Sequence, residues 1–131
     1  MNWKQLIVTL LIIFFFMTSM GCTAALVAGG AAAGIGTYKY IEGELQSTEK
    51  VSLDKAYSAT EKAIEELEFT ITSKQKDAFD GELIARRATG KKVAVKLKRL
   101  SDNVTEIKIR VGTFGDEDIS KDILDTMKKY F

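Results

Sequence analysis

Two stretches of alternating residues constrain the fold of this chain more than any other feature. They are residues 93–98 (VAVKLK) and residues 106–111 (EIKIRV), in which every second side chain is apolar and the side chains between are charged except at Ala94. Because successive side chains of a strand point to opposite faces, each stretch has one apolar and one charged face. The pattern predicts neighbouring strands of an antiparallel sheet that is packed on one side and open to water on the other.

The remaining elements are expected in the order strand, helix, four strands, helix. Ser52 is a suitable helix N-cap, and apolar or small residues then recur along one helical face. The expected elements are a strand over residues 38–48 with a bulge at Gly43, a helix over 53–67, strands over 69–74, 82–88, 93–98 and 106–111, and a helix beginning at 115–116. The predicted fold class is α+β, with an antiparallel sheet of about five strands and both helices on one face. Residues 38–131 are expected to form a single domain.

The N-terminus is organised differently from this domain. One cation, Lys4, is followed by an almost unbroken apolar run over residues 6–17, then by small and weakly polar residues that end in Gly21-Cys22. A membrane-spanning helix needs about 20 apolar residues, so the run is more typical of the apolar part of a secretory signal.

The charged start, the apolar run and Gly21-Cys22 together resemble a bacterial lipoprotein signal. The resemblance implies that residues 1–21 are a signal peptide, and that Cys22 is acylated and becomes the first residue of the mature chain. Thr23 rather than Asp follows Cys22, which by the same resemblance favours the periplasmic face of the outer membrane. Two alternatives remain open: an uncleaved signal anchor, and cleavage after the small residues 31–33.

Residues 22–37 are dominated by Ala and Gly and are interpreted as a tether between the lipidated cysteine and the domain. A short helix at the membrane interface and part of a membrane hairpin are the other two interpretations, the former because Gly30 and Gly34 have small-xxx-small spacing. The glycines do not form a phosphate-binding loop, since no Gly-Lys-Ser/Thr follows them.

Composition excludes several kinds of chemistry. The chain has no His and one Cys, and with Cys22 acylated no free thiol remains. Ser-His-Asp catalysis, Cys-His catalysis and ordinary zinc sites are therefore excluded. Removal of residues 1–21 removes one cation and leaves equal numbers of basic and acidic side chains, so no global charge attracts nucleic acid. We expect no cofactor, no metal and no catalytic residues.

The main candidate site is a basic group on the open face of the sheet. Its residues lie on strands that are expected to be neighbours: Arg86 (or Arg87), Lys96, Lys98, Lys108 and Arg110. Like charges opposite one another destabilise a sheet, which predicts an anion site for lipid phosphate, a cell-wall polymer or an acidic protein surface. The alternative is a solvated face whose repulsion Glu82 and Glu106 relieve.

Two weaker candidates have simpler explanations. The acidic group Asp116, Glu117, Asp118 and Asp122 has no EF-hand spacing, and acidic residues are favourable at a helix start, so capping is the preferred interpretation. The aromatic group consists of Tyr38, Tyr40 and Tyr57. Tyrosines on an edge strand can stack on sugars or on a partner, but packing is the preferred interpretation.

Most of residues 18–131 also resembles a known family. The tract 34–38 (GIGTY), the helix start 52–57 (SLDKAY) and the strand end 111–116 (VGTFGD) resemble a family of small bacterial lipoproteins of unknown function. The resemblance implies the envelope location and carries no functional residue. We therefore expect a membrane-anchored, non-enzymatic protein that binds or scaffolds an envelope protein or a cell-wall polymer. A small carboxylate-dependent hydrolase and self-assembly through the first strand are the alternatives.

Overall fold

The computed structural model describes residues 2–19 and 37–131 and divides the chain into two units, Met1–Gly34 and Ile35–Phe131. In the first unit, helix α1 covers Trp3–Ser19. No helix within the described ranges is both long and apolar enough to cross a membrane. The predicted lipidation site Cys22 and the predicted tether before Thr37 lie outside these ranges.

The second unit is an antiparallel sheet with two helices on one face. Its elements are β1 (Tyr38–Ile41), β2 (Glu44–Glu49), α2 (Leu53–Glu66), β3 (Thr70–Lys76), β4 (Asp80–Arg86), β5 (Lys92–Ser101), β6 (Val104–Val111) and α3 (Glu117–Lys128). The strands lie side by side in the order β1-β2-β6-β5-β4-β3. The predicted α+β class and the antiparallel sheet are confirmed.

The predicted number of strands, about five, is close to the observed number but not exact. Residues 38–48 are not one strand bulged at Gly43 but the hairpin β1–β2, in which Ile41 pairs with Glu44. Glu42 and Gly43 both have positive φ, at 52° and 81°, as a two-residue hairpin turn of type I′ requires. The sheet therefore has six strands, and α1 adds a third helix to the two that were expected in the domain.

The core lies between the sheet and the two helices. α2 packs mainly over β4 and β5, α3 packs over β6 and β2, and the helices also contact each other. The largest fully buried side chains come from all these elements and are Leu45, Leu53, Ile64, Leu83, Val93, Val95, Ile107, Ile109, Val111, Ile123, Leu124 and Met127. The apolar residues of the two alternating stretches are thus inside, as their period predicts.

Both helices of the domain begin at side-chain caps. The Ser52 hydroxyl accepts a hydrogen bond from the Lys55 amide at 3.3 Å, and the Asp116 carboxylate accepts one from the Ile119 amide at 3.1 Å. Each cap satisfies one of the amides that a helix start leaves without an intrahelical partner. The loop between β6 and α3 is therefore fixed at its helical end.

Candidate functional site

The five basic residues of the main candidate site all lie on the open face of the sheet, the face that the helices do not cover. Lys96 of β5 is directly opposite Lys108 of β6, and Arg110 is opposite Ala94. Arg86 ends β4 opposite Lys92. The prediction left Arg86 and Arg87 as alternatives; Arg87 follows β4 and its guanidinium stacks over Phe69 at 5.6 Å.

The structure divides this basic group between two clefts. Lys96, Lys98 and Lys108 line one of about 420 Å³, which we call the charge-balanced cleft. Its lining contains as many carboxylates as lysines and consists of Gln75, Lys76, Asp77, Asp80, Gly81, Glu82, Lys96, Leu97, Lys98, Glu106 and Lys108. Glu82 lies opposite Lys96 and Asp80 opposite Lys98, so neighbouring strands offset most of the repulsion here.

Arg86 and Arg110 belong to the second cleft, also of about 420 Å³, which we call the basic cleft. It lies where β4 and β6 end and β5 begins, and its charged lining residues are Arg86, Lys91, Lys92 and Arg110. Its other lining residues, Gly90, Ala94, Gly112 and Thr113, carry no charge. Four cations therefore surround this cleft, and none of the described residues that line it carries a carboxylate.

Backbone carbonyl groups hold both guanidinium groups of the basic cleft. Arg86 donates to the carbonyl oxygen of Gly90 at 3.1 Å. Arg110 donates to the carbonyl oxygens of Thr113 at 3.2 Å and Glu42 at 2.9 Å. A guanidinium has five N–H donors, so each Arg retains donors for a ligand while its head group is positioned by the loops.

Sequence reasoning missed Lys91 and Lys92. Lys91 lies between the expected strands 82–88 and 93–98, and its ammonium is 3.9 Å from the Asp116 carboxylate. Lys92 opens β5 and lies on the same face as Lys96 and Lys98, so the period of two contained the signal for it. The signal for Lys91 was absent, because it lies in the connection before β5, where side chains follow no period of two.

The acidic candidates lie at the cap and in the first half of α3, and the three tyrosine candidates do not all lie close together. Asp116 caps α3, and Glu117 and Asp118 lie in its first turn. No group of side chains in residues 2–19 and 37–131 has the composition and spacing to hold a metal ion. Tyr57 lies on α2 against Gly81 of β4, whereas the other two tyrosines lie on β1. Strands β2, β6 and β5 lie between β1 and β4, so the three tyrosines do not form one group.

The carboxylates whose pKa is displaced all hold protein contacts. Backbone amides of Phe79 and Asp80, each at 2.8 Å, lower the pKa of Asp77, which lines the charge-balanced cleft. A hydrogen bond from Lys76 lowers the pKa of Asp54. Hydrogen bonds to the charged form explain both shifts, and a lowered pKa is the opposite of what a general acid near neutral pH requires.

Comparisons with known proteins place this architecture in a family. A search of curated proteins found no match. The sequence model of the family DUF3568, described as a protein of unknown function, matches residues 4–130 and thus includes α1, the sheet and both helices of the domain. The chain therefore belongs to the DUF3568 family.

Proposed function

We propose that this protein is a membrane-anchored lipoprotein of the cell envelope whose domain binds an anionic group in the basic cleft and catalyses no reaction. The observation that carries the proposal is the set of four cations, Arg86, Lys91, Lys92 and Arg110, around a cleft with no carboxylate among the described residues that line it. Arg86 and Lys92 lie opposite each other on neighbouring strands, which destabilises the empty site, and a bound anion relieves that repulsion.

The chemistry of the cleft suits phosphate or carboxylate oxygens. Guanidinium groups bind such oxygens through two parallel hydrogen bonds, and lysines add charge at flexible reach. The carbonyl groups of Gly90 and Thr113 already orient the two guanidinium groups, so less side-chain freedom is lost on binding. An envelope protein with an acidic surface, a cell-wall polymer and a lipid head group all offer such oxygens.

The hydrolase alternative has weaker support. It would use the charge-balanced cleft, where Asp80 and Glu82 lie opposite Lys98 and Lys96. Charge pairing between neighbouring strands accounts for these two carboxylates without any catalytic role. The arrangement favours a surface that stabilises the sheet over a catalytic pair.

Anchoring through an acylated Cys22 on the periplasmic face of the outer membrane is part of the proposal. Two or more acyl chains on one residue would hold the mature chain firmly in a bilayer, whereas one chain binds reversibly. We expect a fatty-acid analogue fed to cells to label the wild-type protein and not Cys22→Ala. Equal labelling of both proteins, or a purified chain that retains Met1, would contradict the anchor.

The basic cleft is tested by titrating inorganic phosphate into the isotopically labelled full chain in detergent micelles. We expect the amide signal of Gly112 to shift, and the dissociation constant to rise at least tenfold in Arg86→Gln/Lys92→Gln, because charge-assisted hydrogen bonds are lost. The control Lys55→Gln/Lys121→Gln removes the same charge from the helices. Equal affinity in the two double variants would disprove the site.

A further inference from the structure

The loop beside the basic cleft carries an aromatic side chain that is almost fully exposed to water. Phe114 follows the cleft residue Thr113 and is 92% exposed. At the same end of the sheet, Ile41 ends β1 and is 49% exposed. Large apolar side chains in contact with water are unfavourable to the isolated domain, so the two residues mark a surface that an apolar medium would stabilise.

The backbone that carries Phe114 is closely packed against its neighbours. A Cβ atom at Gly115 would clash with the backbone of Gly43 and with the Tyr40 hydroxyl, so the loop approaches the β1–β2 turn as closely as glycine permits. Arg110 joins the same two segments by donating to the carbonyl oxygens of Thr113 and Glu42. The backbone on both sides of Phe114 is therefore held in place by contacts at this end of the sheet.

We infer that this end of the domain docks on a bilayer that contains anionic phospholipids. Arg86, Lys91, Lys92 and Arg110 contact the lipid phosphates, and Phe114 enters the boundary between head groups and acyl chains. Basic side chains are attracted to an anionic membrane surface, and an adjacent apolar residue adds burial to that attraction. The inference rests on the proposed anion site and names its partner.

The combination of charges and apolar side chains favours lipid over the other anionic partners. A hydrated anionic polymer would satisfy the four cations but would leave the aliphatic side chain of Ile41 in water. A lipid surface offers phosphate groups and an apolar layer within a few ångströms of each other. It is thus the partner whose chemistry matches both parts of this surface.

The N-terminal connection is long enough to allow this contact. Residues 23–36 span at most about 48 Å when fully extended. The longest strand, β5, covers Lys92–Ser101 and is about 33 Å long. Either end of the sheet can therefore reach the bilayer that holds the N-terminus, and the test can use the full chain reconstituted in vesicles.

The test places a fluorescent reporter at the proposed contact. In a Trp3→Phe background, the substitution Phe114→Trp supplies the only tryptophan of the chain. We expect its emission to shift to the blue, with quenching by brominated lipid, in vesicles of phosphatidylcholine with 30% phosphatidylglycerol and not in phosphatidylcholine alone. In Arg86→Gln/Lys92→Gln the ratio of docked to undocked protein should fall at least tenfold, whereas Lys55→Gln/Lys121→Gln should match the parent.

The outcomes separate this inference from the proposed function. If inorganic phosphate binds the cleft but the emission of the Phe114→Trp reporter stays the same on both kinds of vesicle, lipid docking is wrong and the anion site stands. An equal blue shift on both vesicles would show insertion that ignores the cleft, and it would also overturn the inference. If phosphate binding and the blue shift are both absent, both proposals fail.

Discussion

Two glycines with almost the same φ angle have very different surroundings. Gly115 has φ +85°, and a Cβ there would clash with Gly43 and with the Tyr40 hydroxyl. Gly90 has φ +86°, and a Cβ there would meet no described atom within 4 Å. The pair therefore separates two costs that usually occur together, the backbone strain of a left-handed residue and the steric cost of a close approach.

We expect Gly90→Ala to lower the free energy of unfolding by about 1–2 kcal/mol, which is the strain term alone. Gly115→Ala should lower it by more than about 3 kcal/mol, since the β1–β2 turn must also move away from the loop. Thermal unfolding of the full chain in a non-ionic detergent, followed by circular dichroism, measures both. Equal losses in the two variants would show that the close approach contributes nothing to stability.

Among the elements, the strands that pack one face on the core were the most predictable. β5 and β6 were expected over 93–98 and 106–111, and the structure gives Lys92–Ser101 and Val104–Val111. Ile109 is fully buried at the centre of this sheet, where each large aliphatic side chain contributes about 1.5–3 kcal/mol. Burial of one face is what imposes the period of two, so the period is visible in the sequence.

The β1–β2 hairpin was not predictable in the same way. Residues 38–48 alternate only imperfectly between apolar and polar side chains. Glu42 is an unusual residue for a left-handed turn position, where Asn, Asp or Gly is typical. The tertiary contact of Gly43 with the backbone of Phe114 is far away in sequence and leaves no local signal. Two of the four cations of the basic cleft, Lys91 and Lys92, were missed. Lys91 comes directly before β5, outside the part of the sequence that has a period of two.

The domain as a whole has two different ends. The chain enters at Thr37, whose carbonyl oxygen accepts a hydrogen bond from the Ser47 hydroxyl at 3.2 Å. The basic cleft lies at the opposite end of the sheet, where β4 and β6 finish. Thr37, the first described residue of this unit, is therefore remote from the cleft and from Phe114.

The stability of the whole domain depends on pH through a few polar contacts between elements. Hydrogen bonds from Lys129 and Tyr130 lower the pKa of Glu66, and the same contacts raise the pKa of Lys129 and of Tyr130. The Lys129 ammonium and the Tyr130 hydroxyl donate to the Glu66 carboxylate at 2.8 Å and 2.7 Å, and so connect α2 to the residues that follow α3. Lys76 similarly lowers the pKa of Asp54 and connects α2 to β3.

These shifts predict a stability plateau with two limbs. A carboxylate with a lowered folded-state pKa stabilises the fold above its unfolded pKa of about 4, and this contribution is lost as the pH falls through the folded value. The raised pKa values of Lys129 and Tyr130 give contributions that are present below pH of about 10 and are lost as the pH rises further. With no His in the chain, the thermal midpoint should stay nearly constant from about pH 6 to 8. The variant Glu66→Gln should weaken both limbs of this pH profile, because the Glu66 carboxylate takes part in each. The control variant Glu65→Gln, at an exposed neighbouring position, should follow the wild type. A midpoint that changes steeply between pH 6 and 8, or a Glu66→Gln profile with both limbs unchanged, would contradict this account of the contacts that join α2 to the end of the chain.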